Sequence, residues 1–221
     1  MSIAEKIKEF HAIVPPDVEI VAVSKFHPAE MIMEAYEAGQ KCFGESRVQE
    51  FLEKEAKLPK DIKWHFIGHL QTNKVKPLIG KISIIESVDS PRLLRLINDE
   101  SEKKGVITNV LLQIHVAAEE AKFGFYPQEL RDYLGTKEYE TFKSLRICGL
   151  MGMATNTDDE ERVIQDFSSL HELFLEIRDD ADLKLPDFKF LSMGMSGDWP
   201  LAVKEGANII RIGSAIFGNR Y

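Results

Sequence analysis

The sequence of 221 residues predicts a single (β/α)8 barrel, the TIM barrel, with one extra N-terminal helix. Eight short apolar runs rich in β-branched residues recur at a fairly even spacing, and a helix pattern or helical turn follows each run. No linker, low-complexity tract or change of composition divides the chain, so one domain is expected over residues 1–221. An open doubly wound sheet is the alternative, although no G-x-G-x-x-G motif follows the first strand.

The first helix and the first strand–helix unit are separated by prolines. Apolar residues recur at helical spacing over residues 2–13, and Pro15-Pro16 ends this pattern. Residues 20–25 then form an apolar run, which predicts a buried strand. A helix with proline in its first turn and glycine just past its end is expected over residues 28–39.

Two polar caps organise the next three units. Ser46 and Gln49 have the spacing of a capping box, which predicts that a helix begins there and continues to about residue 57. Ser90-Pro91 has the pattern of an N-cap followed by proline at the first helical position, for a helix that runs to Lys104. The expected strands are residues 42–45, 64–68 and 82–87, and a helix is also expected near 71–79.

The second half of the chain repeats the pattern four more times. The expected strands are residues 109–115, 145–150, 188–192 and 209–212. The expected helices lie near 127–135, 158–180 and 197–205, and a final turn or helix follows at 214–219. The helix over 158–180 begins with acidic residues, which suit the positive end of its dipole.

Composition and charge exclude several classes of protein. The net charge of −8 argues against a surface broad enough to bind nucleic acid. No apolar run approaches membrane-spanning length and no signal-peptide core is present, so a cytoplasmic location is expected. Cys42 and Cys148 lie in apolar stretches and are expected to be core residues in a reducing compartment. The histidines are scattered, and no Cys/His pattern with metal-ligand spacing predicts a metal site.

A lysine ends the first strand. Lys25 follows the apolar run Ile20-Val21-Ala22-Val23-Ser24, and a partly desolvated amine at such a position loses its proton more easily. Such an amine can act as a Schiff-base nucleophile. The alternative is that Lys25 extends from the strand end into water, and for a lone lysine this is the better explanation.

Two Gly/Ser loops lie where (β/α)8 barrels commonly bind phosphate, after the seventh and eighth strands. The first loop contains Ser196, and the second contains Gly213 and Ser214. Serine and glycine at the start of a helix leave backbone N–H groups available to an anion. Taken singly, each loop is better explained as an ordinary N-cap with a tight turn. Together, and with Lys25 at the same end of the barrel, they predict a phosphate site.

Arg211 lies in the eighth strand and, by alternation, shares a face with Ile209 and Gly213. It is therefore expected to point into the barrel mouth, where a buried arginine needs a partner. That partner is either a carboxylate, such as Glu45 or Glu86, or a heteroatom of a bound ligand. Together these groups predict pyridoxal 5'-phosphate (PLP) as cofactor. The lysine would bind its aldehyde, the two loops its phosphate and the arginine its pyridine nitrogen.

Segments over nearly the whole chain carry a family resemblance. They include Val21-Ala22-Val23-Ser24-Lys25, Phe43-Gly44-Glu45, Trp64-His65-Phe66-Ile67-Gly68, Leu191-Ser192-Met193-Gly194-Met195-Ser196 and Arg211-Ile212-Gly213-Ser214-Ala215-Ile216-Phe217-Gly218. With these segments in this order, the chain resembles the pyridoxal-phosphate homeostasis proteins, also called proline synthetase co-transcribed proteins. Two positions depart from the family pattern. Ser46 stands where the family usually has Asn, and His115 precedes Glu119-Glu120-Ala121-Lys122-Phe123-Gly124 where the family usually has Asn and then Glu-Glu-Ser-Lys-x-Gly.

The resemblance implies a barrel similar to the N-terminal domain of alanine racemase. It also implies a Schiff base between PLP and Lys25, phosphate held around Ser196, Gly213 and Ser214, and Arg211 near the pyridine nitrogen. The implied role is vitamin B6 homeostasis, in which the protein stores PLP or delivers it to recipient apoenzymes.

We expect a PLP-binding protein rather than an enzyme. An arginine beside the ring nitrogen disfavours its protonation and weakens carbanion stabilisation. Racemisation also needs acid/base groups on both faces of the substrate, and Lys25 serves one face only. No further domain that could supply the second group is expected in a chain ending at Tyr221. The alternatives are a weak PLP-dependent amino-acid racemase and an unrelated Schiff-base lyase or aldolase. A monomer is expected, since no exposed apolar stripe stands out.

Overall fold

Eight parallel strands close into a barrel in the computed structural model, which describes residues 1–117 and 123–218. The strands are β1 (Glu19–Val23), β2 (Cys42–Glu45), β3 (Lys63–Phe66), β4 (Ile84–Val88), β5 (Thr108–Ile114), β6 (Leu145–Gly152), β7 (Phe190–Ser192) and β8 (Ile209–Ile212). Each strand pairs with the next along the chain, and β8 pairs with β1 in a register that places Val21 beside Arg211. The predicted (β/α)8 barrel is therefore confirmed.

Helices follow the strands around the outside of the barrel. They are α1 (Ile3–Ile13), α2 (Ala29–Glu37), α3 (Val48–Lys57), α4 (Pro91–Lys104), α5 (Pro127–Gly135), α6 (Glu160–Asp179), α7 (Trp199–Lys204) and α8 (Ser214–Phe217). The extra N-terminal helix is α1, and Ser2 and Glu5 cap it with a capping box. The predicted cap of α4 is also confirmed, since the Ser90 hydroxyl accepts a hydrogen bond from the backbone N–H of Leu93. Position 219 of the last predicted segment lies outside the described residues.

Two sequence-based predictions of helices are wrong, and the first concerns the start of α3. The Ser46 capping box does not form, because α3 begins one residue later, with Arg47 at the N-cap position and no side-chain cap. The backbone of Ser46 instead packs against Gly68, where a Cβ atom would lie 2.2 Å from the Ser46 carbonyl oxygen. Ser46 is thus held in the chain leaving β2 and cannot turn to cap the helix.

The helix expected near residues 71–79 is also absent from the described chain, which forms a single 3-10 turn at Thr72–Lys74. Further i to i−3 backbone hydrogen bonds join Val75 to Thr72 and Leu78 to Val75. Pro77 explains this result, because it has no N–H to donate and disfavours an α conformation in the residue before it.

The core has two parts. A large cluster fills the space between strands and helices, and a smaller cluster lies inside the barrel. The inner cluster consists of Val21, Cys42, Ile84, Leu111, Cys148, Met151 and Ile209. Both cysteines are buried and free, as their apolar surroundings predict. Among the described helices, none is both long and apolar enough to cross a membrane.

Candidate functional site

The five predicted site residues line one cavity at the carboxyl ends of the strands. The cavity has a volume of about 500 Å³, within the range typical of small-molecule and cofactor sites. Lys25 follows β1, Ser196 follows β7, Arg211 lies in β8, and Gly213 and Ser214 follow it. Residues from opposite ends of the chain therefore meet because β8 pairs with β1.

The turn that carries Lys25 has an unusual backbone. Lys25 is half-buried, and the next residue, Phe26, has a φ of 68°. A positive φ is uncommon for a residue with a Cβ and costs roughly 1–3 kcal/mol, so surrounding contacts must hold the turn. The backbone N–H of His27 closes the turn by donating to the Ser24 carbonyl at 3.0 Å.

A buried ionic network supplies the contacts that hold this turn. The Lys54 ammonium donates to the Ser24 carbonyl at 2.8 Å and to the Glu45 carboxylate at 2.6 Å. The Ser24 hydroxyl also donates to Glu45 at 2.6 Å, and the Glu50 carboxylate accepts from the backbone N–H of Phe26. Burial raises the pKa of Glu45, and the contacts with Lys54 and Ser24 only partly oppose this. The strand end is thus anchored to α3 on the side away from the cavity.

The two Gly/Ser loops are joined by one serine. The Ser196 hydroxyl oxygen accepts hydrogen bonds from the backbone N–H groups of Gly213 at 3.1 Å and Ala215 at 3.4 Å. Gly213 is the N-cap of α8 and Ala215 lies in its first turn, so both N–H groups lie at the start of a helix. Such N–H groups favour an anion. The loop geometry is fixed at Gly194, which has a φ of 92° and leaves room for no side chain beside α7.

Arg211 is buried between a buried carboxylate and the cavity. Its guanidinium donates to the Ser192 hydroxyl at 2.6 Å and to the Gly152 carbonyl at 2.7 Å. One of its nitrogens lies 3.8 Å from the fully buried Glu86 carboxylate. Of the two carboxylates considered from the sequence, Glu86 is therefore the partner, whereas Glu45 pairs with Lys54.

Glu86 connects Arg211 to a histidine deeper in the barrel. Its carboxylate accepts from the Ser192 hydroxyl and lies 2.5 Å from Nδ1 of His65. Burial alone would raise the pKa of Glu86, but His65, Arg211 and Ser192 outweigh burial and lower it. Glu86 is therefore an anion at neutral pH, and it keeps Arg211 protonated. Sequence analysis offered Glu86 only as one possible partner and gave no signal for His65 or Ser192 in this network.

Apolar residues complete the cavity wall and were not predicted as site residues. Met151, Met153, Met195 and Ile67 line the cavity beside the polar groups. His27 also lines it and stacks on the Phe217 ring at 5.2 Å between centroids. Methionines at strand ends resemble ordinary core residues in a sequence, so their part in the cavity was not recognisable.

Comparison with known proteins agrees with this geometry. The family model of the N-terminal domain of alanine racemase matches residues 1–221. A protein of Schizosaccharomyces pombe named pyridoxal phosphate homeostasis protein is 38% identical over 206 residues, which cover 92% of this chain and 85% of the relative. A protein of Aquifex aeolicus with the same name is 41% identical over 204 residues, covering 91% and 87%. The chain belongs to the pyridoxal phosphate homeostasis protein family.

Solved structures extend the comparison to the fold. PipY of Synechococcus elongatus, solved with PLP bound, is 37% identical, covers 98% of this chain and 100% of its own, and superposes with a TM-score of 0.88. Alanine racemase of Clostridium difficile is 15% identical and superposes with a TM-score of 0.79, over 99% of this chain and 56% of the racemase. The racemase thus shares the barrel fold, and the resemblance to the homeostasis family is confirmed.

Proposed function

We propose that this protein binds PLP in the cavity, with the aldehyde attached to Lys25, and that it takes part in vitamin B6 homeostasis by storing or delivering PLP. The observation that carries this proposal is the meeting of Lys25, Arg211 and the Ser196–Gly213–Ser214 cluster in one cavity of about 500 Å³. The PLP-bound structure of PipY, a relative that superposes over the full barrel, supports it.

The donor set of the cavity fits PLP. Its phosphate needs N–H and O–H donors, which the Ser196 hydroxyl and the first turn of α8 supply. Its aldehyde needs a primary amine, and Lys25 is the lysine among the described lining residues. When bound, PLP supplies an aldehyde that condenses with amines and a pyridine ring that withdraws electrons. Arg211 presents a donor to the ring nitrogen and, because Glu86 balances its charge, remains protonated.

The arrangement favours binding over catalysis. Among the described residues that line the cavity, Lys25 and His27 are the groups able to accept or donate a proton near neutral pH. Both belong to the turn after β1, so both approach the cavity from the same side. Racemisation needs groups on opposite faces of the substrate. We therefore propose a PLP carrier, with weak amino-acid racemisation as the competing function.

Absorbance spectroscopy of the Lys25→Ala variant tests PLP attachment. We expect the wild-type protein to be yellow and K25A to lose the absorbance of lysine-bound PLP. Lys8→Ala is the matched control, because Lys8 is exposed on α1 and does not line the cavity. Unchanged colour and occupancy in K25A would reject Lys25 as the attachment site.

Incubation of the wild-type protein with L-alanine in deuterated water separates the carrier from the racemase. A carrier is expected to show negligible exchange of the α-hydrogen and no loss of chirality. Rapid exchange with racemisation would reject the carrier and support the alternative.

We further propose that the protein acts as a cytoplasmic monomer that passes PLP to recipient apoenzymes. The net charge of −8 supports solubility without association to nucleic acid. Light scattering after gel filtration should give the mass of one chain, and a larger mass would contradict the proposed monomer. To measure PLP transfer, the loaded protein is mixed with a PLP-dependent apoenzyme. Transfer is the enzyme activity gained beyond that given by an equal concentration of free PLP.

A further inference from the structure

Three residues of metal-binding types meet at the amino ends of the strands, at the opposite end of the barrel from the cavity. Glu19 begins β1, Cys42 begins β2, and His65 lies in β3. One potential ligand atom from each residue lies within 4.8 Å of the other two. These residues come from three consecutive strands and are therefore more than twenty positions apart in the sequence. No short sequence motif with metal-ligand spacing contains them.

The histidine of this cluster is held as metal-binding histidines usually are. Nδ1 of His65 lies 2.5 Å from the carboxylate of Glu86, which accepts a hydrogen bond from it. The other ring nitrogen, Nε2, is the one left for a metal, which would bind there in place of a proton. Metal-binding histidines commonly hydrogen-bond a carboxylate through their second nitrogen, which fixes the ring.

The charges of the cluster match a divalent cation. With a metal bound, a Glu19 carboxylate, a Cys42 thiolate and a neutral His65 would carry two negative charges together. Without a metal, burial raises the pKa of the Cys42 thiol. Burial lowers the pKa of His65, but its contacts with Cys42 and Glu86 outweigh burial and raise that pKa well above its usual value. The charge of Glu86 is already balanced by Arg211, at 3.8 Å. Lys63 lies 3.7 Å from Glu19, and its side chain is 64% exposed, so it can turn into solvent when a metal binds.

An opening in the barrel gives access to the cluster. A cavity of about 290 Å³ lies at this end and is lined by Glu19, His65 and Cys148, together with the cations Lys63, Arg146 and Lys189. Cys42 and Glu19 both line a second cavity of about 290 Å³. The side chain of Glu19 is 32% exposed, which connects the cluster to solvent. This space allows a metal ion to enter and a water molecule to complete its coordination.

We propose that Glu19, Cys42 and His65 form a binding site for Zn²⁺ or a similar divalent transition metal, with water as fourth ligand. Nitrogen, oxygen and thiolate sulfur ligands are those that Zn²⁺ prefers. The bond lengths of a tetrahedral site place its ligand atoms about 3.5 Å apart. The ligand atoms therefore need to approach by up to about 1.3 Å, and the partly exposed Glu19 has the freedom to do so. Binding breaks the Cys42 S–H bond and the Nε2–H bond of His65, forms a sulfur–metal bond and a nitrogen–metal bond, and releases both protons to solvent.

Titration of the metal-free full-length protein with Co²⁺, followed by competition with Zn²⁺, tests this site. We expect one Co²⁺ per chain and a charge-transfer absorption from thiolate to Co²⁺, which Zn²⁺ displaces. Cys42→Ser should abolish the absorption and weaken Zn²⁺ binding at least tenfold. Glu19→Gln should weaken Zn²⁺ binding at least tenfold while leaving the barrel folded, because Glu19 is partly exposed.

Cys148→Ser is the matched control, because Cys148 is the other buried cysteine of the inner cluster and lies outside the trio. It should retain one metal per chain and the charge-transfer absorption. Failure of the wild type to bind one metal, or binding without the thiolate absorption, overturns the proposal even if C42S does not fold. Equal loss of affinity in C148S and C42S also overturns it. Metal bound to PLP phosphate would give no thiolate absorption, so it is distinguished from this site.

Discussion

Removing the Ser192 hydroxyl should destabilise the barrel through the network beneath the cavity. The hydroxyl is fully buried, accepts from the Arg211 guanidinium at 2.6 Å and donates to the Glu86 carboxylate. Ser192→Ala therefore deletes two hydrogen bonds to charged groups and leaves both charges less well satisfied. Hydrogen bonds to charged groups are each worth about 1.5–3 kcal/mol.

The two bonds set an upper figure of about 3–6 kcal/mol for the loss of unfolding free energy. Some of this is recovered, because Arg211 and Glu86 are already 3.8 Å apart and can approach to a direct ion pair. We therefore expect S192A to lose about 2–4 kcal/mol, which is a large part of the stability of an ordinary domain.

Urea unfolding of the PLP-free protein measures this loss, since bound PLP would add stability by mass action. Ser169→Ala is the control, because the Ser169 hydroxyl donates to the Gln165 carbonyl on an exposed part of α6. The control should change the unfolding free energy by less than about 0.5 kcal/mol. A loss below about 1 kcal/mol in S192A would contradict the reasoning, because the hydroxyl would then not be needed by the two charges.

Three further predictions concern stability, pH and thiol reactivity. Gly194→Ala should lose about 2–4 kcal/mol of unfolding free energy, because φ is 92° and the new Cβ would lie 2.6 Å from an α7 side chain. Gly197→Ala has open space around the new Cβ and should lose far less in the same urea assay. Glu86 has a lowered pKa in the folded state, so its contribution to stability is present above about pH 4.3 and is lost as pH falls through the lower folded pKa. The melting temperature should therefore fall less steeply with acid in E86Q than in the wild type. Parallel curves for the two proteins would contradict this. Burial raises the pKa of Cys42 and raises that of Cys148 to about 11. Neither thiol should therefore react with a disulfide reagent at pH 8 until urea unfolds the chain. Prompt reaction of the native protein would show that a thiol is accessible and would contradict this prediction.

The barrel was predictable because its signals are local. Short β-branched runs and the helix patterns between them recur often enough that an error in one helix leaves the count of eight strands intact. Ser46 shows the limit of such signals, since it has the sequence of a cap but is held by packing against Gly68. Pro77 is a local signal of the opposite kind, because a proline in the middle of an expected helix disfavours that helix.

The polar residues that line the cavity were predictable for a different reason. Lys25, Ser196 and Arg211 follow or lie in identifiable strands, and strand order in a barrel places their ends together. The network of His65, Glu86 and Ser192 was not predictable from residue spacing. One contact joins side chains of the neighbouring strands β3 and β4, and the other crosses the barrel interior between β4 and β7. Such contacts depend on the tilt and register of closed strands, which residue spacing alone does not give.

Borohydride reduction followed by peptide mass mapping is the most direct test of PLP attachment to Lys25. Reduction fixes PLP to the amine that holds it, and proteolysis then identifies the labelled residue. We expect loss of the yellow colour and one label per chain, on the peptide that contains Lys25. A label on another lysine, or a colourless protein that takes up no label after incubation with PLP, would contradict it.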